Sequence, residues 1–270
     1  MKILADTPRR ILVTLAGASC VVMALFGSGI TGEPVGQSSG GSLTDDATMI
    51  APAGPAFSIW SVIYLGLLAY TVWQWRSSSE RTRQASPWAA FSLALNAAWL
   101  LVVQLQWIWA SVVVIIALLG VLLMLVRVLV AEPAQNWLER IVVDGTFGIY
   151  LGWVSVATCA NIAAAATDSG LKPGSPVEDV LAVVVLAVVA LVALLVGLRL
   201  PLRWPIVIAM SWGLAWIVIG RVTGEPPSVA AAVTAALAAV IGLAAAAVGQ
   251  LRGRGMPRRG AGSASPAPAR

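Results

Sequence analysis

The chain has 270 residues, of which 59% are hydrophobic and only 11% charged, well below the roughly 25% charged residues of an ordinary soluble domain. Its 17 Lys and Arg exceed its 12 Asp and Glu, leaving a net charge of +5. A soluble fold is excluded, and in so apolar a chain the basic excess points to loops beside a membrane rather than to nucleic acid. No histidine occurs, so His general bases, His metal ligands and Ser/His triads are all removed. Cys20 and Cys159 each sit in an apolar run and read as small hydrophobes.

A membrane-crossing helix needs about 20 apolar residues at 1.5 Å rise each. Eight such spans follow in order, at 11–30, 56–75, 87–106, 107–131, 141–166, 180–200, 204–222 and 228–251. The expected fold class is therefore all-α, a polytopic membrane helix bundle with eight transmembrane helices. The first span follows Lys2, Arg9 and Arg10 but lacks an A-x-A cleavage site, and reads as a retained helix. The third and fourth spans abut, which predicts a tight hairpin at Gln106, Trp107 and Trp109.

Basic residues alternate with the loops as an even span count requires. Lys2, Arg9 and Arg10, then Arg76, Arg81 and Arg83, then Arg127 and Arg140, then Arg199 and Arg203, and finally the tail arginines share one side. The other side receives Lys172 and Arg221 with Glu33, Asp45, Asp46, Asp168, Glu178 and Asp179. The reading is a cell-membrane protein with both termini in the cytoplasm. The tail, 253–270, is rich in Gly, Pro, Ala and Arg and is expected to be disordered.

Polar groups inside the spans mark function or helix contact. Asp144 is the one carboxylate well inside a span and is expected to pair with Arg140 at i, i+4. Arg127 and Arg221, near span ends, are expected to snorkel. Among the tryptophans, Trp73, Trp75, Trp88, Trp107, Trp109, Trp137 and Trp204 fall near span ends as an interfacial belt. Trp60, Trp99, Trp153, Trp212 and Trp216 lie deeper, the last two reading as core. Trp60 with Tyr64, Trp99 with Asn96, and Trp153 with Ala157 and Asn161 share helix faces at helical spacing. Three helices would thus aim aromatic and amide groups into one outward layer beneath the loop 31–55. That make-up suits a flat, apolar ligand with a few polar edges; interhelical hydrogen bonding by Asn96 and Asn161 is the competing explanation. Gly145, Gly148 and Gly152 form a smooth stripe for helix contact or a homodimer, and Gly242 and Gly249 permit close packing.

The stretches FSIWSVIY (57–64), LNAAW (95–99) and WVSVATCAN (153–161) resemble helices two, three and five of the tryptophan-rich sensory protein, or TspO/MBR translocator, family. The resemblance implies a five-helix bundle that binds a porphyrin or other tetrapyrrole, in some members sterols, in a cavity closed by the loop after helix one. Carried over, Trp60, Tyr64, Asn96, Trp99, Trp153, Ala157 and Asn161 would bind the ligand. The reduced lead-in APAGPAFSIW, Cys159 in place of an aromatic, and IAAAATDSG after helix five depart from the family, the last arguing against sterols. The implied organisation is a TspO-like bundle at 1–170, three additional transmembrane helices at 171–252, and the tail. The expected activity is binding or sensing of a hydrophobic small molecule, with no obligatory cofactor, no metal, no nucleic acid and no enzymatic turnover. A small-solute transporter or permease is the alternative.

Overall fold

The computed structural model describes residues 6–27, 41–174 and 176–255. Lys2, Glu33, the first part of the long loop, the last residues of the first expected span and the tail beyond 255 lie outside them. Among the described residues, eight helices are long and apolar enough to cross a membrane. They are α1 (Asp6–Gly27), α2 (Ile59–Trp73), α3 (Glu80–Gln104), α4 (Ile108–Ala131), α5 (Trp137–Asp168), α6 (Val177–Arg199), α7 (Arg203–Thr223) and α8 (Val229–Gly255). Count and order agree with the apolar runs, since hydropathy alone dictates where a chain can enter lipid.

Helix ends are set by capping chemistry that hydropathy does not register. Helix α3 begins at Glu80, a full two turns before the apolar run, because Ser79 Oγ accepts from Thr82 N–H at 3.2 Å and Glu80 occupies the first turn. Pro87, taken from the sequence as a span start, therefore lies inside a helix. Asn136 caps α5 in the same way, its Oδ1 accepting from Glu139 N–H at 2.9 Å. The α3–α4 hairpin is as tight as expected: Gln106 adopts φ 60°, and Trp107 N–H reaches back to Val102 O at 2.9 Å.

Within α5, residues Arg140–Gly145 form a π-helical stretch before the regular helix Thr146–Asp168. The widened turn carries Asp144 inward, while Arg140 is exposed. Asp144 consequently pairs with Arg81 of α3, not with Arg140. The Arg81 guanidinium also donates to Glu139 Oε1 at 2.8 Å and to the carbonyls of Leu129 and Glu132. The early start of α3 is what brings Arg81 to this depth. Arg9, read as a loop charge, is buried too and donates to Ser86 Oγ at 2.9 Å and to Ser77 O at 3.1 Å. Both arginines staple helix ends on the basic side of the bundle. Arg221 does not snorkel: it is 2% exposed and donates to two backbone carbonyls. Arg127, by contrast, is exposed near the end of α4, as snorkelling requires.

Helix α1 packs on α3, α3 on α4 and α4 on α5, and α2 closes the ring between α1 and α5. Helix α7 runs along the outer side of α5, α8 along α7, and α6 along α8. The glycine stripe of α5 serves the α5–α7 contact, since a Cβ on Gly148 would meet Pro205 at 2.6 Å and one on Gly152 would meet Ile206 O at 2.2 Å. Gly249 is likewise pressed against Gly197 O, as the small-residue pattern predicts. Of the seven expected belt tryptophans, Trp75, Trp107, Trp109, Trp137 and Trp204 are exposed, whereas Trp73 and Trp88 are half-buried against the core.

Two contrasts test this packing in detergent unfolding titrations. Gly152→Ala should lose about 1–3 kcal/mol because its Cβ meets backbone that can move only with the whole helix, whereas Gly120→Ala, with open space around it inside a helix, should be neutral or gain up to about 1 kcal/mol. Arg81→Ala should lose about 3–5 kcal/mol by leaving two buried carboxylates unpaired, and Arg140→Ala less than about 0.5 kcal/mol. Equal effects within either pair would refute the corresponding contact.

Candidate ligand cavity

At the end of the bundle opposite the buried Arg9 and Arg81, residues 41–53 fold over α2, α3 and α5. Successive turns shape this segment: Thr44 N–H donates to Gly41 O, Ala47 N–H to Thr44 O and Ala51 N–H to Thr48 O, at 3.1–3.2 Å. Ser42 Oγ donates to Asp168 Oδ1 at 2.5 Å at the end of α5, and Ala53 N–H to Trp216 O at 3.1 Å on α7. Below it lies a cavity of about 40 Å³, room for about three water molecules.

The roof contributes Ser42, Leu43, Thr44, Ala47, Thr48, Ala51 and Pro52 to the lining. The floor and walls are Phe57 and Trp60 at the start of α2, Trp99 of α3, and Trp153, Ala157, Ala160, Asn161 and Ala164 of α5. Five of the seven residues expected from sequence, Trp60, Trp99, Trp153, Ala157 and Asn161, are therefore brought together around one space. Tyr64 and Asn96 are not among the lining residues. One turn removed from Trp60 and Trp99, they bond to each other instead, Tyr64 O–H donating to Asn96 Oδ1 at 3.3 Å. Cys20 Sγ of α1 donates to the same oxygen at 3.3 Å.

Trp60 is the hub of the aromatic cluster. Its ring stacks on Tyr64 at 5.4 Å and on Trp99 at 6.0 Å between centroids, and meets Tyr150 and Trp153 edge-on at 6.0 and 6.2 Å. Phe57 lies edge-on to Trp153 at 5.9 Å. Each offset or perpendicular pair adds about 0.5–1.5 kcal/mol beyond burial, so the rings hold one another in place when nothing lies between them.

The amides do cross-link helices. Trp99 Nε1–H donates to Asn161 Oδ1 at 2.9 Å, and Asn161 Nδ2–H to Ser111 Oγ of α4 at 2.9 Å, whose hydroxyl is also bonded to Ile108 O at 2.6 Å. Asn161 thus serves as helix glue and as cavity wall at once. Two lining groups contrast with it: Trp153 Nε1 and Thr48 Oγ1 are buried and have no hydrogen-bond partner among the described residues. Such groups are costly to leave unpaired. Among the described residues no cluster of His, Cys, Asp or Glu suits a metal. The lining offers aromatic faces and edges, one amide and hydroxyls, a set suited to holding a molecule.

The loop 31–55 is expected to cover the site, and residues 41–53 of it do; sequence reasoning missed Ser111, Phe57 and the individual roof residues. Ser111 had a signal, being a lone hydroxyl beside a long apolar run in α4. Phe57 precedes Trp60 and Tyr64 at i, i+3, i+7 on one face. The roof segment carries no aromatic or charge pattern that ties it to the cavity. Of the two tryptophans read as core, Trp216 is half-buried against the core, whereas Trp212 is exposed, packs edge-on to Trp216 at 5.7 Å and donates Nε1–H to Ala56 O at 3.0 Å.

The model of a family described as TSPO-like protein matches residues 10–248. The match starts inside α1 and ends inside α8, so it takes in α6, α7 and most of α8 along with the five-helix ring. No curated protein and no solved structure matches the chain. Eight apolar helices, a tryptophan-lined cavity under a roof between α1 and α2, and this match lead to one conclusion: the chain is a membrane-spanning member of the TSPO-like protein family.

Proposed function

We propose that the protein binds a flat, largely apolar ligand of the tetrapyrrole class in the roofed cavity, as a receptor or translocator without turnover. The supporting observation is the convergence of three indoles and Asn161 from three helices on one space whose lining also holds two unpaired polar groups. A ligand whose edge carries hydrogen-bond acceptors would satisfy Trp153 Nε1–H and Thr48 O–H, while its faces take over the stacking that the rings now give one another.

The volume of about 40 Å³ is too small for such a molecule, since ligand sites usually measure about 300–1,000 Å³. Binding on this reading lifts the roof and parts Trp60 from Trp99. Releasing three roof hydrogen bonds costs about 2–4 kcal/mol. Burying ~400 Å² of apolar ligand surface returns about 10 kcal/mol, before the cost of association.

The same proposal places the basic end of the bundle in the cytoplasm of the cell membrane, following the arginine bias. It leaves the permease alternative without a coupling group at the cavity. Asp144 is held by Arg81 and lies about 25 Å along α5 from Asn161 at 1.5 Å per residue.

Protoporphyrin titrated into purified protein should quench tryptophan emission saturably. Trp153→Ala should weaken binding about ten- to a hundredfold, the value of one lost stacking and hydrogen-bonding partner. Trp107→Ala, at an exposed position in the α3–α4 turn, should leave affinity unchanged. Equal affinity of the two variants, both folded by circular dichroism, would rule the site out.

A further inference from the structure

Most of the described hydrogen bonds between the roof and the helices go to α7, while Leu43 packs on Ile108, Val112 and Ala165 of the ring. The roof's one described side-chain bond to the five-helix ring is the exposed pair of Ser42 with Asp168. From α7, Arg221 Nη2–H donates to Asp45 O at 2.6 Å, Trp216 O accepts from Ala53 N–H at 3.1 Å, and Trp212 Nε1–H donates to Ala56 O at 3.0 Å. Between these anchors the roof backbone lies directly on Gly220, whose added Cβ would sit 3.5 Å from Ala53 N and 3.7 Å from Ala51 O. The contacts at 212, 216 and 220 recur about once per helical turn and form a rail under residues 51–56, and the long side chain of Arg221 reaches the roof from the adjoining face.

Arg221, in the last turn of α7, makes a buried contact of this kind. Its other terminal nitrogen, Nη1, donates to Pro226 O at 2.7 Å, so a single guanidinium ties the roof to the α7–α8 turn. Two carbonyls in divergent directions suit the planar fork of arginine and exceed the reach of one ammonium. The side chain is 2% exposed, which removes water as a competitor for those carbonyls, and Asp45, Asp46 and Glu225 supply the surrounding negative field. The same helix backs the wall, since a Cβ on Gly213 would meet Val156 at 3.0 Å and Trp153 at 3.5 Å.

We infer that α7 is the brace of the cavity, and that Arg221 and Trp212 are positioning residues whose bonds to the backbone of Asp45 and Ala56 set how readily the roof opens. The inference rests on the cavity being the ligand site, and it gives the C-terminal helices a task in binding: they time access to a chamber whose walls belong to the first five. A ligand enters only when the roof leaves the rail, so loosening the rail speeds arrival and departure together and changes affinity less.

Hydrogen exchange on the full chain in lipid nanodiscs, followed by stopped-flow mixing with protoporphyrin, tests this. Arg221→Met should speed exchange of the amides at 44–53 roughly tenfold, leave the interiors of α2 and α7 unchanged, and raise both association and dissociation rates several-fold. Arg221→Lys should fall between Arg221→Met and the parent. Trp212→Phe, which keeps the ring and loses only the N–H, should speed exchange at 53–57; it and Arg221→Lys carry the test should Arg221→Met not fold. Parent-like exchange across 44–57 in folded variants would overturn the brace. Faster exchange in the variants, with no protoporphyrin binding by any form of the protein, would support the brace and remove the tetrapyrrole reading instead.

Discussion

Inside a bilayer a helix gains nothing by turning apolar side chains away from lipid, so polar bonds and close backbone approach decide which helices touch. This constraint organises the whole molecule. Arg9 and Arg81 clamp the helix ends on one side, Asn161 and Asn96 join helices in the middle, and Arg221 secures the far side. Where polar groups are lacking, glycine serves: α5 and α7 meet through Gly148 and Gly152, and α6 and α8 through Gly197 and Gly249. Leucine and valine fill the outward faces, as in the exposed series Val180, Val184, Val188 and Leu191 of α6, where they meet lipid.

Helix α5 is the element shared by both halves of the molecule. One face supplies Trp153, Ala157 and Asn161 to the cavity, and the glycine face carries α7. A wall built on a helix packed from both sides is rigid, whereas the roof rests on a few hydrogen bonds. The stacked rings of Trp60, Tyr64 and Trp99 pack on one another across α2 and α3.

Much of this was legible in the sequence. The number and order of the spans, the sharp α3–α4 turn and the interfacial tryptophans follow from hydropathy and residue type, and the three aromatic and amide pairs located five of the cavity residues. What hydropathy could not supply was partner choice. Asp144 looked tied to Arg140 because spacing along a regular helix put them together; the π-helical turn and the capped, extended start of α3 gave it Arg81 instead. Arg221 looked like a snorkelling residue because it sits near a span end, yet carbonyls of the roof and of the next turn lay within its reach. Tyr64 and Asn96 share faces with cavity residues but lie one turn deeper, a distinction that face periodicity does not make. Bonds between segments far apart in sequence are the common reason.

The π-helical stretch of α5 bears on more than its own partners. A wide turn inserts a surplus residue into the helical path, and each residue of an α-helix advances azimuth by about 100°. The orientation of Glu139 and Asp144 about the axis is thus phased independently of Trp153 and Asn161, although all lie on one helix. Removing one residue between 140 and 145 would restore an unbroken α-helix and swing the carboxylates away from Arg81 or the indole away from its chamber, but not neither. The bulge is the adjustment that lets a single rod aim Glu139 and Asp144 at Arg81 and Trp153 and Asn161 at the cavity.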